Sequence, residues 1–257
     1  MMSTLAIDDG EIPGALEAFR DASAELLAAR TLQQRVDRKF LLQNAMLNPL
    51  LDGLSGHFLV VRAEGRLAAT YDSRYFDTPD RQMYEDHRRG RGRRHKVRIR
   101  HHLERQLTFL EIKEKSASGR TSKARLARRF GDGELDEEGQ AFIEQHSPFR
   151  AGLLNPTVST AFRRITLVGN DVDERITIDW DLELRDEHRR ERLPHVAIAE
   201  IKQAGYSNHS DAVRVFRALH IRETAVSKYC LATVVLAAAV RANTFRPALR
   251  AVEQLSA

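Results

Sequence analysis

In the stretch KVRIR, Lys96, Arg98 and Arg100 alternate with Val97 and Ile99. A strand has a side-chain period of two, so the three cations share one face and the two aliphatics the other. The pattern recurs along the chain. In TFLEIKEK, Phe109, Glu111, Lys113 and Lys115 oppose Leu110 and Ile112. In RITIDW, Arg175, Thr177 and Asp179 oppose Ile176, Ile178 and Trp180. In VAIAEIK, Ile198, Glu200 and Lys202 oppose Ala197, Ala199 and Ile201, and in SKARLARR, Lys123 and Arg125 oppose Ala124 and Leu126. Such a chain forms an antiparallel sheet with one apolar face and one charged face. A solvated charged face is the common outcome, and alternation alone does not say which side meets water.

Two details point inward. The polar faces carry Arg and Lys rather than Thr, Ser and Gln, and a carboxylate precedes a lysine by two residues on two strands, Glu111 to Lys113 and Glu200 to Lys202. Closing the sheet into a barrel places these charges around an internal cavity. Clustered buried cations require an anionic occupant, because like charges in a low dielectric repel and desolvate badly. A linear polyanion fits Arg forks and Lys point charges, and interspersed carboxylates suit a hard divalent metal bridging phosphate oxygens.

The wider composition agrees with an acidic partner. The chain has 257 residues and a formal net charge of +5, with 42% hydrophobic and 30% charged residues. Nucleic acid, phosphorylated metabolites and anionic lipid all fit that charge. The single cysteine, Cys230, excludes an intrachain disulfide and a cysteine-based zinc site, and its apolar neighbours predict a buried, inert thiol. The acidic N-terminus, MMSTLAIDDGEIPG, lacks the basic region of a secretory signal. The longest apolar run, CLATVVLAAAV, is too short to span a bilayer, so a cytoplasmic location is expected.

The remaining pattern places helices mostly at the two ends. PGALEAFRDASAELLAAR has helical spacing with Pro13 at its start, and NAMLNPLLDGL reads as a short helix broken near Pro49 and Gly53. RVDRKFLL, RLAATYDSRYFDT and PTVSTAFRRITLV read as further strands, and GDGELDEEGQAFIEQH as a turn into a helix. SDAVRVFRALHIRETAVSKYCLATVVLAAAV reads as helical with Ser210 as N-cap. The expected fold class is α+β: a closed antiparallel β-barrel with a charged interior, flanked by N- and C-terminal helices. Residues 1–34 form a helical segment packing on the barrel, and residues 35–257 form the barrel domain with the C-terminal helices.

In order along the chain, RVDRKF, YFDTPDRQMYEDH, KVRIR, FLEIKEK, GRTSKARL, RITID, AEIK and SKY resemble the motifs of the VTC domain. That family is the polyphosphate-polymerase branch of the triphosphate tunnel metalloenzymes, and the resemblance runs from about Arg35 to Tyr229. It implies a tunnel that transfers the γ-phosphate of a nucleoside triphosphate, with ATP the expected donor, to inorganic polyphosphate, using Mn²⁺ or Mg²⁺. It implies catalytic roles for Arg98, Arg100, Lys113, Lys123, Arg164 and Arg175. It implies substrate binding by Lys39, Ser227 and Lys228, and metal binding by Glu200, with Glu111 and Asp37 as further carboxylates. Asp37 replaces a glutamate of the superfamily's first motif, and Phe162 stands where a tyrosine is expected.

Phosphoryl transfer asks for alignment and charge neutralisation rather than a protein nucleophile. The sequence accordingly lacks a GxSxG elbow, an HExxH pair and a P-loop. A hydrolase of triphosphates in the same tunnel, or a non-catalytic binder of polyphosphate or nucleic acid, are the alternatives. Few aromatics interleave the basic strands, which argues against a specific nucleic-acid partner. Bland roles are expected elsewhere: Arg88 to Arg94 as a basic surface loop, His101 and His102 as surface strand ends, Phe76 and Trp180 as core, and Asp77 and Thr78 as turn formers. The oligomeric state is not legible.

Overall fold

The computed structural model describes residues 12–30, 36–118, 120–237 and 240–256. Most of the acidic N-terminus, Arg35 of the first motif, Gly119 and the pair Ala238 and Ala239 lie outside the described residues. The strands are β1 (Val36–Gln43), β2 (Phe58–Val60), β3 (Ala69–Asp77), β4 (Arg94–His102), β5 (Leu107–Lys115), β6 (Thr121–Arg128), β7 (Asn155–Gly169), β8 (Glu174–Arg185), β9 (Arg190–Leu193) and β10 (Val196–Gln203). The helices are α1 (Ala24–Ala29), α2 (Leu47–Leu54), α3 (Gln82–Arg88), α4 (Glu137–His146), α5 (Asp211–Ala218), α6 (Lys228–Leu236) and α7 (Arg246–Ser256). The α+β class is as expected.

The strands form one antiparallel sheet in the order β1-β10-β8-β7-β3-β4-β5-β6, with β2 added on β7 and β9 on β8. The expected closure is corrected: among the described residues β1 and β6 do not pair, so the sheet is an open, curled one. The cause lies at the free edge of β1. Glu223 bridges Phe40, and the Thr224 amide donates to the Lys39 carbonyl at 2.7 Å, so the segment after α5 takes the place β6 would need. The curl is nevertheless tight. Lys39 on β1 and Lys113 on β5 feel each other's charge although five strands lie between them in the sheet.

The apolar faces point outward. Val97, Ile99, Leu110 and Ile112 pack with Phe76, with Met83 of α3 and with Ile143 of α4. On the other half, Phe40, Leu42, Ile176, Ile178, Trp180, Ala199 and Ile201 pack with the leucines of α2, with Val213 and Phe216 of α5, and with Leu16 and Phe19. Each large apolar side chain buried this way contributes about 1.5–3 kcal/mol. The charged faces are therefore turned inward. One helix breaks the simple picture: Tyr229, Leu231 and Leu236 of α6 pack on Leu41, Tyr75, Phe162 and Ile198. These four share their faces with the charged residues, so α6 seals one end of the concave side.

Two local expectations change and one holds. The N-terminal helical pattern splits into a 3-10 turn (Gly14–Ala18) and α1, separated by a bridge between Asp21 and Val60. Helix α2 runs through both Pro49 and Gly53. Pro49 lies in the first turn, where no hydrogen bond is lost. At Gly53 a Cβ would come within 2.7 Å of Val215, so glycine there admits α5. Ser210 caps α5 as expected.

Asp77 does more than form a turn. Its fully buried carboxylate accepts from the amides of Thr78, Met83 and Tyr84 at 2.8, 2.9 and 3.0 Å, and from the Tyr229 hydroxyl. It thereby fixes the start of α3 and ties it to α6. Replacing Asp77 by Ala strands buried donors, so a loss of about 3 kcal/mol is expected in urea unfolding. A loss below about 1 kcal/mol would contradict this role.

Candidate functional site

Pairing register sets the inner face. On β4 and β5, Arg98 stands opposite Glu111, Lys96 opposite Lys113 and Arg100 opposite Phe109. Arg98 donates to Glu111 Oε2 from Nε at 2.8 Å and from Nη2 at 2.6 Å, and to the Tyr75 hydroxyl at 3.2 Å. Lys123 of β6 donates to the other carboxylate oxygen. Burial disfavours the Glu111 charge, but Arg98, Arg100 and Lys123 hold its carboxyl well below the usual range. Arg100 donates to Ser73 Oγ at 3.0 Å and lies over the rings of Tyr71 and Phe162. Burial and then Arg98 push its guanidinium down to about 10, still charged at neutral pH.

On the facing wall, Arg164 makes a two-pronged contact to Asp179, Nε to Oδ1 at 2.5 Å and Nη2 to Oδ2 at 2.7 Å. Lys228, the first residue of α6, donates to the same carboxylate. Phe162 is the floor of this group: Lys228 Nζ is 4.4 Å and the Arg164 guanidinium 5.2 Å from its ring centroid. The missing tyrosine hydroxyl is thus replaced by a cation–π platform. Burial opposes ionisation of Asp179, yet Arg164 and Lys228 hold it well below the usual range. Ser227 serves as the N-cap of α6, its hydroxyl accepting from the Cys230 amide at 3.3 Å.

The third group lies on β1, β10 and β8. Lys39 is opposite Glu200, and Asp37 and Arg175 flank Lys202 on its two sides. Lys202 donates to Glu200 Oε2 at 2.9 Å and to Thr177 Oγ1 at 3.2 Å, and Lys39 donates to the Val226 carbonyl at 3.0 Å. Arg175 reaches the Arg30 carbonyl at 3.4 Å and so sits at the rim. Burial disfavours the Glu200 charge, but Lys202, Lys39 and Lys113 hold its carboxyl well below the usual range.

The donor set bears on the expected metal. Among the described residues no cluster of three or more Asp, Glu, His or Cys could hold an ion. Glu111 is engaged by Arg98 and Lys123, and the three expected carboxylates do not form one such cluster. Glu200 and Asp37, diagonal neighbours on paired strands, remain. Two carboxylate side chains plus substrate phosphate oxygens are what Mg²⁺ or Mn²⁺ commonly takes, so these residues fit a phosphate-bridged ion.

Several site residues escaped the sequence reading. Asp179, Lys202 and Lys96 were visible on the alternating faces, but alternation does not reveal which charges meet. Ser73 and Tyr75 gave no signal beyond their strand. His101 is buried rather than surface-exposed, its Nδ1 2.8 Å from Thr108 Oγ1. His102 packs edge-on against Tyr71 and Phe109, and burial together with Arg100 pushes it down to about 3, so it is neutral. The basic segment is partly neutralised: Arg88 and Arg89 share Glu85, Arg91 pairs with Asp86 and Arg93 with Glu114.

Crowded cations leave a titration signature. Burial, then Lys39 and Lys113, push the Lys96 ammonium down to about 8, against opposing effects of Cys230 and Tyr75. Burial with Arg98 and Arg100 pushes Lys123 down to about 8 despite Glu111. Tyr75 is also lowered to about 8, by Arg98 and Arg100 against its burial. Each folded pKa lies below its unfolded value, so the unfolded chain binds more protons between about 8 and 10. Stability of the ligand-free protein is therefore expected to rise with pH across that window, measured by urea unfolding. A flat or falling profile would contradict the crowding.

The VTC domain family matches residues 34–237. No curated protein matches the chain significantly. Similar solved structures include a candidate adenylate cyclase from Bacillus halodurans, at 15% identity, covering 75% of this chain and 93% of that one, with a TM-score of 0.47. A candidate adenylate cyclase from Vibrio parahaemolyticus shows 14% identity, covers 77% and 98%, and has a TM-score of 0.47. A candidate adenylyl cyclase from Hippeastrum, described as having a dominant triphosphatase activity, shows 13% identity, covers 77% and 94%, and has a TM-score of 0.49. With most of its length matched by one family, and every quoted motif within or at the edge of that match, this chain belongs to the VTC domain family.

Proposed function

We propose that the protein is a metal-dependent phosphoryl transferase that builds inorganic polyphosphate from the γ-phosphate of a nucleoside triphosphate, with ATP the expected donor. The observation that carries this reading is the convergence of cations from seven strands and α6 on one concave face. A triphosphate laid between Arg98 and Arg100 on one wall and Arg164 and Lys228 on the other has both sides of its γ-phosphate neutralised. Glu200 with Asp37 would hold Mn²⁺ or Mg²⁺, and the ion would supply positive charge to the transferring phosphoryl group.

The chain's own residues then orient the reaction. A terminal phosphate oxygen of the growing chain attacks the γ-phosphorus, the bond to the β-phosphate oxygen breaks, and a nucleoside diphosphate leaves. The attacking oxygen is already anionic, so no base is needed. This distinguishes transfer from hydrolysis, because water as attacker benefits from a proton acceptor. The inner-face carboxylates Glu111, Asp179 and Glu200 are all held well below the usual range, and His102 is lowered to about 3, so each is a weak base. Such weak bases are compatible with polymer synthesis, which asks no proton transfer of them.

Purified protein given ATP and Mn²⁺ is expected to yield phosphate chains longer than triphosphate, resolved by gel electrophoresis. Orthophosphate without polymer would instead establish a hydrolase. Arg100→Ala, which removes a cation with no carboxylate partner, should lower turnover by about 100-fold or more. Glu200→Gln should raise the Mn²⁺ concentration needed for half-maximal turnover, and an unchanged metal requirement would remove Glu200 as a ligand.

A further inference from the structure

Strand β6 ends the sheet, and its far edge is open among the described residues. The Ser116 amide donates to the Arg120 carbonyl at 2.8 Å, so these two form a hydrogen-bonded pair at the mouth of the β5–β6 hairpin. Hydrogen-bonded and non-hydrogen-bonded pairs alternate along an antiparallel ladder. The unbroken register of β5 and β6 then turns the N–H and C=O of Ser122, Ala124 and Leu126 toward β5. Those of Thr121, Lys123, Arg125 and Ala127 point away from it. Among the described residues these outward backbone groups have no partner, and all four residues are exposed. No proline, glycine or bulge interrupts the strand. Such an edge is a template for one more strand.

Charge selects which strand. Between Lys115 and Gly131 the chain carries Lys115, Arg120, Lys123, Arg125, Arg128 and Arg129 and no carboxylate. Glu111 holds Lys123, and Asp132 and Asp136 hold Arg128. Arg120, Arg125 and Arg129 make no ion pair among the described residues. A second copy of β6 would set these cations against their own kind, whereas an acidic strand is attracted by them. Nucleic acid shares the attraction but has no alternating donors and acceptors to continue the ladder.

The pleat fixes the spacing. Residues of an added strand opposite Lys123 and Arg125 project to the same side as those two side chains, so the acidic positions are two apart. The residue between them projects to the other side, beside Ala124. There a groove of about 540 Å³ opens toward the C-terminal end of α4, with Ile112, Ser122, Ala124, His146 and Pro148 among its walls. A small aliphatic side chain suits that groove.

We propose that the free edge of β6 is a docking site for an extended acidic segment of a partner protein, bound by strand addition with an acidic–aliphatic–acidic pattern. Backbone pairing along Thr121 to Ala127 supplies the binding, and Arg125 is the chief cation that selects the sequence. The site lies outside the phosphate grip, and its occupancy is independent of the phosphoryl-transfer reading.

The test uses the intact protein and a capped hexapeptide, Thr-Glu-Val-Glu-Val-Thr, against the same peptide with lysine for glutamate, followed by backbone-amide NMR. In the free protein the amides of Thr121, Lys123, Arg125 and Ala127 are expected to exchange rapidly with solvent, and those of Ser122, Ala124 and Leu126 slowly. The acidic peptide should protect the first four and bind about tenfold or more tightly than its lysine counterpart. Ala127→Pro removes an outward amide that β5 does not use, a change an edge strand tolerates. It should weaken the acidic peptide about fivefold, the scale of one net hydrogen bond. Arg125→Glu leaves the ladder intact and should reverse the preference between the two peptides, so it decides the matter if Ala127→Pro disturbs the strand. Equal affinity for the two peptides, no protection of the four outward amides at millimolar peptide, or shifts confined to the concave face around Arg98 and Arg164 overturns the proposal. Dimerisation through this edge in light scattering, or tighter occupancy of the same amides by a single-stranded DNA oligonucleotide, overturns it as well.

Discussion

The structure depends on turning a sheet's charged face inward and keeping it there. Three inner-face carboxylates make that possible. Glu111 binds Arg98 and Lys123, Asp179 binds Arg164 and Lys228, and Glu200 binds Lys202. Without them the inner cations would repel one another in a medium that screens them poorly. They do not neutralise the face completely. Among the described residues Arg100, Lys96 and Lys113 have no carboxylate in hydrogen-bond contact, so part of the inner positive charge is left uncompensated. The same partners hold these carboxylates well below the usual range, so they are weak bases.

The outer layers serve this inner face. Apolar residues of alternating strands pack under α2, α3, α4 and α5, which fixes strand register, and register decides which charges meet. Helix α6 has a different task. It closes one end with apolar contacts and delivers Lys228 to Asp179 from its first turn. Asp77 couples α6 to α3 through Tyr229, so the helix that carries Lys228 is tied to the outer layer.

Much of this was legible because a period of two is a strong signal. The strands of KVRIR, LEIK, RITID and AEIK were readable with the correct faces, and their arginines and lysines do share one surface. The direction of that surface was an inference from composition, since alternation is silent about which side is wet. Closure was misread because nothing in the sequence of β1 shows that Glu223 and Thr224 take its free edge. The different surroundings of the expected metal carboxylates were hidden for a related reason. Glu111 and Glu200 look alike in sequence, each two residues before a lysine, but in the fold Arg98 and Lys123 ion-pair with the former and Lys202 with the latter. Asp179, flanked by two cations that are distant in sequence, could not be singled out by any local pattern. His101 and His102 show the limit at strand ends, where burial is set by neighbours such as Thr108 and Tyr71 rather than by position.

The most direct test of an inward-facing polyanion channel is a crystal structure of the protein soaked with tripolyphosphate and Mn²⁺, with the metal located by anomalous scattering. Phosphate density between the Arg98–Arg100 and Arg164–Lys228 walls, with the ion beside Glu200, is the expected result. Phosphate bound instead on the outer loop of Arg88 to Arg94, with the concave face holding only water, would contradict it.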